Sequence, residues 1–315
     1  MSNGTRTKFI ETREYRQFAE FCDACQRHKY IGLCYGPPGV GKTLSAKRYA
    51  RWDDLTESSF FRNRYAIRLE WSVNSTVLLY TPQVVNSPAQ IRETIERTRF
   101  ELRQIHVEKL RAKHQPAIYR IESRLGEMRL LAYHNGQSQP PIEETSDYQR
   151  LQDKAGELRR RLEIRCHEVR DPTSLIIVDE ADRLKDIGLE QVRDIYDRGG
   201  IGVVLIGMPG LEKRLARYPQ LYSRVGLVHQ FRPISEEEVR QILAESWQPE
   251  GVSLPSMGLA DTEVLAAILR ITGGNFRLLH RLLTEMGRLV ELNQLRQVTP
   301  ELVDTAREGL VIGVD

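Results

Sequence analysis

The sequence has few cysteines, no long apolar run and little net charge, and each shortage excludes a class of protein. Four cysteines in 315 residues are too few for a disulfide framework. No stretch approaches the ~20 apolar residues of a membrane-spanning helix, and the polar start is not followed by a signal-peptide core. The net charge of +3 does not by itself indicate a nucleic-acid partner. We therefore expect a cytoplasmic protein with no membrane partner.

Two of the four cysteines, Cys22 and Cys25, form a C-x-x-C pair that could be half of a zinc site. The other candidate ligands that lie close together, Cys166 and His167, are adjacent and lack the usual ligand spacing. The pattern therefore favours packing of Cys22 and Cys25 along one face of a helix over residues 14–28.

A glycine-rich loop connects a predicted strand, residues 30–35, to a predicted helix, residues 43–52. It matches G-x-x-x-x-G-K-[ST], in which glycines let backbone amides approach phosphates and the helix N-terminus adds its positive dipole. Lys42 would reach the β- and γ-phosphates, and Thr43 would offer its hydroxyl to Mg²⁺. The motif predicts an ATP and Mg²⁺ site whose nucleotide contacts are Gly36, Pro37, Pro38, Gly39, Val40, Gly41, Lys42, Thr43 and Leu44.

A second apolar strand pattern, residues 174–178, ends in the acidic pair Asp179 and Glu180. Open parallel sheets bind ligands at the carboxyl ends of their strands, so both carboxylates should face the nucleotide. Asp179 is expected to hold Mg²⁺, and Glu180 to polarise the attacking water. Alone, the pair would more often cap a helix, but its occurrence with the P-loop favours hydrolysis.

The remaining pattern predicts three parts: a helical segment 1–29, an α/β nucleotide-binding domain 30–233, and a helical lid domain 234–315. Further strands are expected at 76–81, 202–206 and 228–231. Ser235 and Glu238 have capping-box spacing, and helices should cover 261–271, 275–292 and the segment after Thr299-Pro300.

An insertion of about 88–170 separates the second and third strands. Apolar residues spaced by three and four predict two antiparallel helices joined near residues 135–146. Pro116 should kink or break the first helix, because proline lacks an amide hydrogen. The hairpin could be a lever or docking surface, or a solvated decoration. Its two stripes are Ile118, Ile121, Leu125 and Met128, and Leu151, Ala155, Leu158 and Leu162.

The two motifs and the helical C-terminal part resemble the AAA+ family. The resemblance implies a P-loop parallel sheet with helices on both faces, a small helical lid, and assembly into a homo-oligomer with ATP at each subunit junction. Gly273-Gly274-Asn275-Phe276-Arg277 looks like the sensor-2 element, in which Arg277 contacts phosphate. Tyr222-Ser223-Arg224-Val225 looks like the arginine-finger segment, so Arg224 would act on a neighbour's ATP; a surface ion pair is the alternative.

One family element has no counterpart in the sequence. Many members have a polar sensor-1 residue at the end of the fourth strand, but here Ile206 is followed by Gly207-Met208-Pro209. We therefore expect slow, switch-like hydrolysis.

Within AAA+, the run Asp179 to Lys185, followed by the strand before Gly207, is similar to the transposition regulators TnsC, TniB and MuB. The resemblance implies an ATP-dependent assembly on duplex DNA that recruits a transposase or target-selection protein and is dismantled by hydrolysis. A helicase-loader or initiator-like ATPase and a signalling or defence switch are the alternatives. Non-specific phosphate contacts are expected from Arg92, Arg97, Arg99 and Arg103, although interleaved glutamates could pair with these arginines instead.

Overall fold

In the computed structural model, the described residues are 9–52, 75–134, 145–246, 259–295 and 297–310. Five strands form one sheet in the order β2-β3-β4-β1-β5. Strand β1 pairs in parallel with β4 and with β5, and β3 pairs in parallel with β4, which confirms the predicted parallel sheet. The strands are β1 Ile31–Tyr35, β2 Val77–Tyr80, β3 Leu175–Val178, β4 Gly202–Gly207 and β5 Val225–Gln230.

The buried strands follow the apolar runs, whereas the last strand departs from the prediction. Every residue of β3 and β4 is buried, as expected for strands covered on both faces. Strand β5 begins three residues before the predicted 228–231 and alternates between half-buried and exposed residues. Its neighbour in the sheet is β1 alone, so this edge strand needs no continuous apolar run.

The helices of the nucleotide-binding part pack around this sheet, and α1 (Arg13–His28) lies against β1, β4 and β5. Cys22 and Cys25 are fully buried on α1, which confirms the predicted packing face. Burial raises the pKa of the Cys25 thiol to about 12, so this thiol stays protonated at neutral pH. The helices are α1 Arg13–His28, α2 Lys42–Ala50, α5 Asp186–Gly199, α6 Leu211–Leu215 and α7 Pro219–Tyr222, with a 3-10 turn at Ala181–Arg183; α3 (Pro88–His134) and α4 (Ser146–Glu168) form the insertion.

The C-terminal part has its own apolar core and well-defined helix caps. Ser235 and Glu238 form the predicted capping box, with each side chain accepting from the other's backbone N–H. Thr299 caps the last helix through a bond from the amide of Leu302. Buried side chains from these helices form one cluster. The helices are α8 Glu236–Ser246, α9 Leu259–Thr272, α10 Phe276–Leu292 and α11 Pro300–Glu308.

The insertion contains α3 Pro88–His134 and α4 Ser146–Glu168, which pair as the predicted hairpin. Ile118 and Leu162, one from each predicted stripe, are buried in a shared cluster. Arg159 pairs with Glu122, and the guanidinium of Arg129 lies 5.3 Å from the ring centre of Tyr148, so residues later in α4 contact residues earlier in α3. The helices are therefore antiparallel.

Of the two outcomes predicted at Pro116, a break is wrong and a kink stays a prediction. Helix α3 continues through Pro116 as one helix of 47 residues. The proline removes one backbone donor, but the turns on both sides retain theirs, and Val107 and Ile118 hold both sides in the same buried cluster. The guanidinium of Arg120 also donates to the Pro116 carbonyl at 3.2 Å. Tertiary packing therefore outweighs the local helix-breaking tendency.

The chain divides into two compact units. One contains residues 1–52, 79–91 and 174–315, and the other contains 53–78 and 92–173. The first unit includes the P-loop, the acidic pair and the C-terminal helices, and the second includes most of the hairpin. The three-part division at residues 29 and 233 stays a prediction. No helix in the described ranges is long and apolar enough to cross a membrane.

Candidate functional site

The P-loop spans the turn between β1 and α2, and its backbone requires glycine. Gly39 and Gly41 have φ values of 81° and 110°, which side-chain-bearing residues rarely adopt. A Cβ on Gly36 would lie 2.3 Å from the carbonyl oxygen of Phe231. The amide of Gly36 donates to the carbonyl of Gly207 at the end of β4. The loop is therefore fixed at the carboxyl edge of the sheet, with the N-terminus of α2 directly after it.

Lys42 is the first residue of α2, and its ammonium group turns back onto the loop. Nζ donates to the carbonyl oxygens of Gly36 and Pro37 at 2.6 and 2.7 Å. Burial lowers the pKa of Lys42, while the nearby Asp179 carboxylate opposes that shift. Lys42 is thus a partly desolvated cation above the loop, which is the charge that phosphate oxygens need.

Asp179 follows β3 and lies beside the start of α2. It is 3% exposed. Burial raises the pKa of Asp179, and the nearby side chain of Thr43 counteracts part of that increase. Two oxygen ligands from separate predicted motifs therefore meet, and hydroxyl and carboxylate oxygens are the ligand types that suit Mg²⁺.

Glu180, the expected general base, follows Asp179 in a left-handed backbone conformation with φ of 52°. Its amide donates to Oδ1 of Asp179 at 2.9 Å. Its Oε2 lies 2.5 Å from Nη2 of Arg183, an ion pair that lacks hydrogen-bond geometry. Nη1 of Arg183 donates to the carbonyl of Pro82, after β2, at 3.1 Å. Arg183 thus contacts both the Glu180 carboxylate and the loop that follows β2.

Asn275, which precedes α10, and Arg277 in the first turn of that helix contact the P-loop directly. The side-chain amide of Asn275 donates to the carbonyl of Pro38 at 2.8 Å, and the backbone amide of Arg277 donates to the carbonyl of Gly39 at 3.0 Å. The positive charge of Arg277 contributes to lowering the pKa of Lys42, after the larger effect of burial. Arg277 is therefore close to the phosphate-binding end of the loop.

Sequence comparison matches this arrangement to a known family. A family model described as an AAA domain matches residues 25–215, which is more than half of the chain and includes the P-loop, β3 and β4. This chain belongs to the AAA family of ATPases. A Staphylococcus aureus protein described as a potential ATP-binding protein is 37% identical over 306 residues, covering 97% of each chain. Nucleotide binding is the property shared by the family and this relative.

Two further similarities of the AAA protein are partial or confined to the fold. The Mu-like prophage FluMu DNA transposition protein B of Haemophilus influenzae is 30% identical over 123 residues, 36% of this chain and 39% of the relative. A RuvB mutant of Thermotoga maritima matches with a TM-score of 0.50 and 12% identity, over 97% of this chain and 71% of the other. The second similarity supports the AAA+ fold alone.

Arg224, the expected arginine finger, is engaged within its own subunit. Its Nε donates to Oδ1 of Asp197 at 2.6 Å, and its Nη1 donates to the carbonyl of Gln220. The hydrogen bond to Asp197 raises the pKa of Arg224. A surface ion pair was the alternative interpretation, and the isolated AAA subunit contains that pair. Action on a neighbour's nucleotide stays a prediction and would require release from Asp197.

A carboxylate from another element occupies the end of β4, where the sequence has no polar residue. Oδ2 of Asp182 accepts the amide of Met208 at 2.7 Å. A Cβ on Gly207 would lie 2.6 Å from that oxygen, so only glycine leaves room for the carboxylate. The negative charge of Asp182 also counteracts the lowering of the Lys42 pKa. Asp182 is therefore a polar group near the nucleotide site that the sequence pattern of β4 did not predict.

The four arginines proposed for DNA contact all lie on α3 but differ in their surroundings. Arg92 and Arg97 are exposed. Arg99 pairs with Asp171 at 2.6 Å, and Arg103 donates to the carbonyls of Val169 and His167. Arg99 and Arg103 thus help to hold the base of the hairpin. DNA contact by the four stays a prediction, with Arg92 and Arg97 the more accessible pair.

The structure adds Asp182, Arg183 and Asn275 to the predicted site. All three lie inside segments that the motifs had marked, since Asp182 and Arg183 follow the acidic pair and Asn275 precedes Arg277. The position of these polar residues next to a motif was therefore the sequence signal that could have identified them. Their partners, the amide of Met208 and the carbonyls of Pro82 and Pro38, are backbone groups far away in sequence and carry no sequence signal.

Proposed function

We propose that this protein is an Mg²⁺-dependent ATPase whose nucleotide state controls an assembly on duplex DNA. The single observation that carries the ATPase proposal is the position of Lys42, whose ammonium group lies on the P-loop carbonyls near the buried carboxylate of Asp179. Residues of the two motifs, with Thr43 next to Lys42 in the chain, therefore meet at one point, where the lysine charge suits phosphate. These residues would bind nucleotide and Mg²⁺, and Glu180 would accept a proton from the attacking water.

The DNA and transposition part of the proposal rests on sequence similarity. The FluMu transposition protein is similar over 36% of this chain. The run from Asp179 to Lys185 also resembles the transposition regulators. A regulator of this type would assemble on duplex DNA with ATP bound and recruit a transposase or target-selection protein. Hydrolysis would then dismantle the assembly. The absence of a polar side chain after Ile206 favours slow hydrolysis, and Asp182 supplies a carboxylate there.

Electron microscopy tests the proposal in one experiment. The purified full chain is imaged with a slowly hydrolysed ATP analogue, with and without random-sequence duplex DNA, at low and raised salt. Ordered rings or filaments that need both ligands, and that weaken as salt rises, are expected, because phosphate contacts release counterions. Lys42→Ala is the matched control, since it removes the phosphate-binding cation and leaves the hairpin unchanged.

The other outcomes distinguish the alternatives. Assembly that depends on nucleotide and is indifferent to DNA would contradict the DNA-bound regulator and favour a partner-binding switch. Binding to a hexameric helicase with no coating of DNA would favour a loader. Absence of nucleotide binding in the wild-type chain would contradict the ATPase proposal itself.

A further inference from the structure

The two polar side-chain atoms of Asn275 make hydrogen bonds to two different parts of the chain. Oδ1 accepts the backbone amides of Arg277 and Leu278 at 3.1 and 3.2 Å, and thereby caps α10. Nδ2 donates to the carbonyl of Pro38 in the P-loop at 2.8 Å, across 237 positions of sequence. The cap needs only an acceptor, which Asp or Ser would also provide. The contact with the P-loop therefore accounts for an amide donor at this position, and capping of the helix does not.

The backbone of the same segment makes a second contact with the loop. The amide of Arg277 donates to the carbonyl of Gly39 at 3.0 Å. A Cβ on Gly39 would lie 2.4 Å from Oδ1 of Asn275 and 3.0 Å from Cβ of Arg277. The two segments are thus packed so closely that residue 39 must be glycine. Gly39 also has a φ of 81°, which favours glycine.

Peptide geometry turns these two contacts into an effect on phosphate binding. In a planar trans peptide, the C=O of one residue and the N–H of the next point in opposite directions. Holding the Pro38 carbonyl toward the α10 segment therefore directs the Gly39 amide away from it. Holding the Gly39 carbonyl does the same for the Val40 amide. Backbone amides of this loop are the groups that surround phosphate in the G-x-x-x-x-G-K-[ST] motif.

We propose that Asn275 is a positioning residue for nucleotide phosphate: it links the helix that carries Arg277 to the P-loop and fixes the direction of the Gly39 and Val40 amides. This inference rests on the proposed ATP binding and goes beyond it, because it assigns a role to a residue that need not touch the nucleotide. A side chain with an acceptor and a donor at this length is required, and Asn has both.

Three variants of the full chain separate this role from capping. Asn275→Asp and Asn275→Ser keep a good helix cap and lose the amide donor, and Ser does so without adding charge near phosphate. Asn293→Asp is the matched control, since Asn293 lies at the other end of α10, where its Nδ2 donates to the carbonyl of Leu289. The measurements are the Kd of a fluorescent ATP analogue and of its ADP counterpart, and the Tm of each protein.

The expected result is a loss of affinity of about tenfold for both nucleotides in Asn275→Asp and Asn275→Ser, because an unpaired carbonyl no longer orients the loop. The Tm should fall no further than in Asn293→Asp, whose nucleotide affinity should match that of the wild type.

Wild-type affinity in Asn275→Ser would overturn the inference and leave the proposed ATPase intact. A Tm loss well beyond the control would overturn it as well, since capping would then explain the effect. Failure of the wild-type chain to bind either nucleotide would instead contradict the proposed function.

Discussion

The guanidinium of Arg183 lies 2.5 Å from Oε2 of Glu180 and also donates to the carbonyl of Pro82. One cation therefore contacts both the expected general base and the loop that follows β2. Asn86 in that loop donates to the carbonyls of Gln83 and Arg183, which strengthens the connection. A carboxylate in contact with a guanidinium must leave that partner before it can approach an attacking water. The pair thus restrains Glu180 in the isolated subunit.

Replacing Arg183 should therefore increase ATP turnover. Both partners are partly exposed, so the pair is worth at most about 1 kcal/mol, and Arg183→Ala should raise kcat by up to roughly fivefold. Steady-state kinetics would show KM nearly unchanged. Arg288→Ala, which removes another i,i+3 pair with a glutamate, is the control. A lower kcat in Arg183→Ala would show that this arginine assists hydrolysis.

Lys42→Ala should abolish nucleotide binding, because it removes the cation that the loop holds above the expected phosphate position. Glu180→Gln should retain binding and lower kcat by about a hundredfold or more, since the amide cannot accept a proton. Calorimetry measures the first effect and phosphate release the second. Wild-type turnover in either variant would contradict the site assignment.

Arg224→Ala should reduce hydrolysis only if assembled subunits share their sites. In that case, mixing inactive Arg224→Ala with inactive Lys42→Ala should restore part of the activity, because some junctions combine an intact P-loop with an intact arginine. Arg217→Ala, a change at an exposed neighbour, serves as the comparison. No recovery in the mixture, together with normal turnover in Arg224→Ala, would leave the Asp197 pair as the role of Arg224.

Pro116→Ala should stabilise the hairpin unit, because alanine restores the amide hydrogen in the middle of α3. Proline in a helix interior is about 3 kcal/mol less favourable than alanine, so a gain of about 1–3 kcal/mol in the free energy of unfolding is expected. Hydrogen exchange along α3 measures this locally. Lys113→Ala on the same helix should change it little, and a loss of protection in Pro116→Ala would contradict the account.

His229 should make stability fall as the pH falls. Burial among Phe18, Phe21 and Phe231, with a smaller effect of Arg232, lowers the pKa of His229 below 6.5. The unfolded chain therefore binds the proton first, and stability is lost progressively below pH 6.5. His229→Phe should flatten the dependence of Tm on pH between about 5 and 6.5. His280→Phe, at an exposed site, should leave it unchanged.

The sequence determined the parts of this protein that depend on local pattern. Buried parallel strands read as apolar runs, so β1, β3 and β4 could be placed to within a residue or so. The P-loop and the acidic pair were recognisable because phosphate binding demands glycines and one lysine at fixed spacing. The same strands also placed Asp179 and the P-loop at one edge of a sheet, where the Asp179 carboxylate opposes the lowering of the Lys42 pKa.

Only the tertiary structure decided which neighbours restrain these groups. Arg183 meets Pro82, Arg224 meets Asp197, and Asn275 meets Pro38 across long sequence separations. Two of these acceptors are backbone carbonyls, which are the same at every position, and the third is one of 43 acidic residues, so no residue pattern marks any of them. Helix α3 continues through Pro116 for a similar reason: the packing that holds it comes from α4. Local sequence preference determines where the helices and strands form. Contacts between residues far apart in the sequence, which spacing does not encode, determine the partners of the side chains at the nucleotide site.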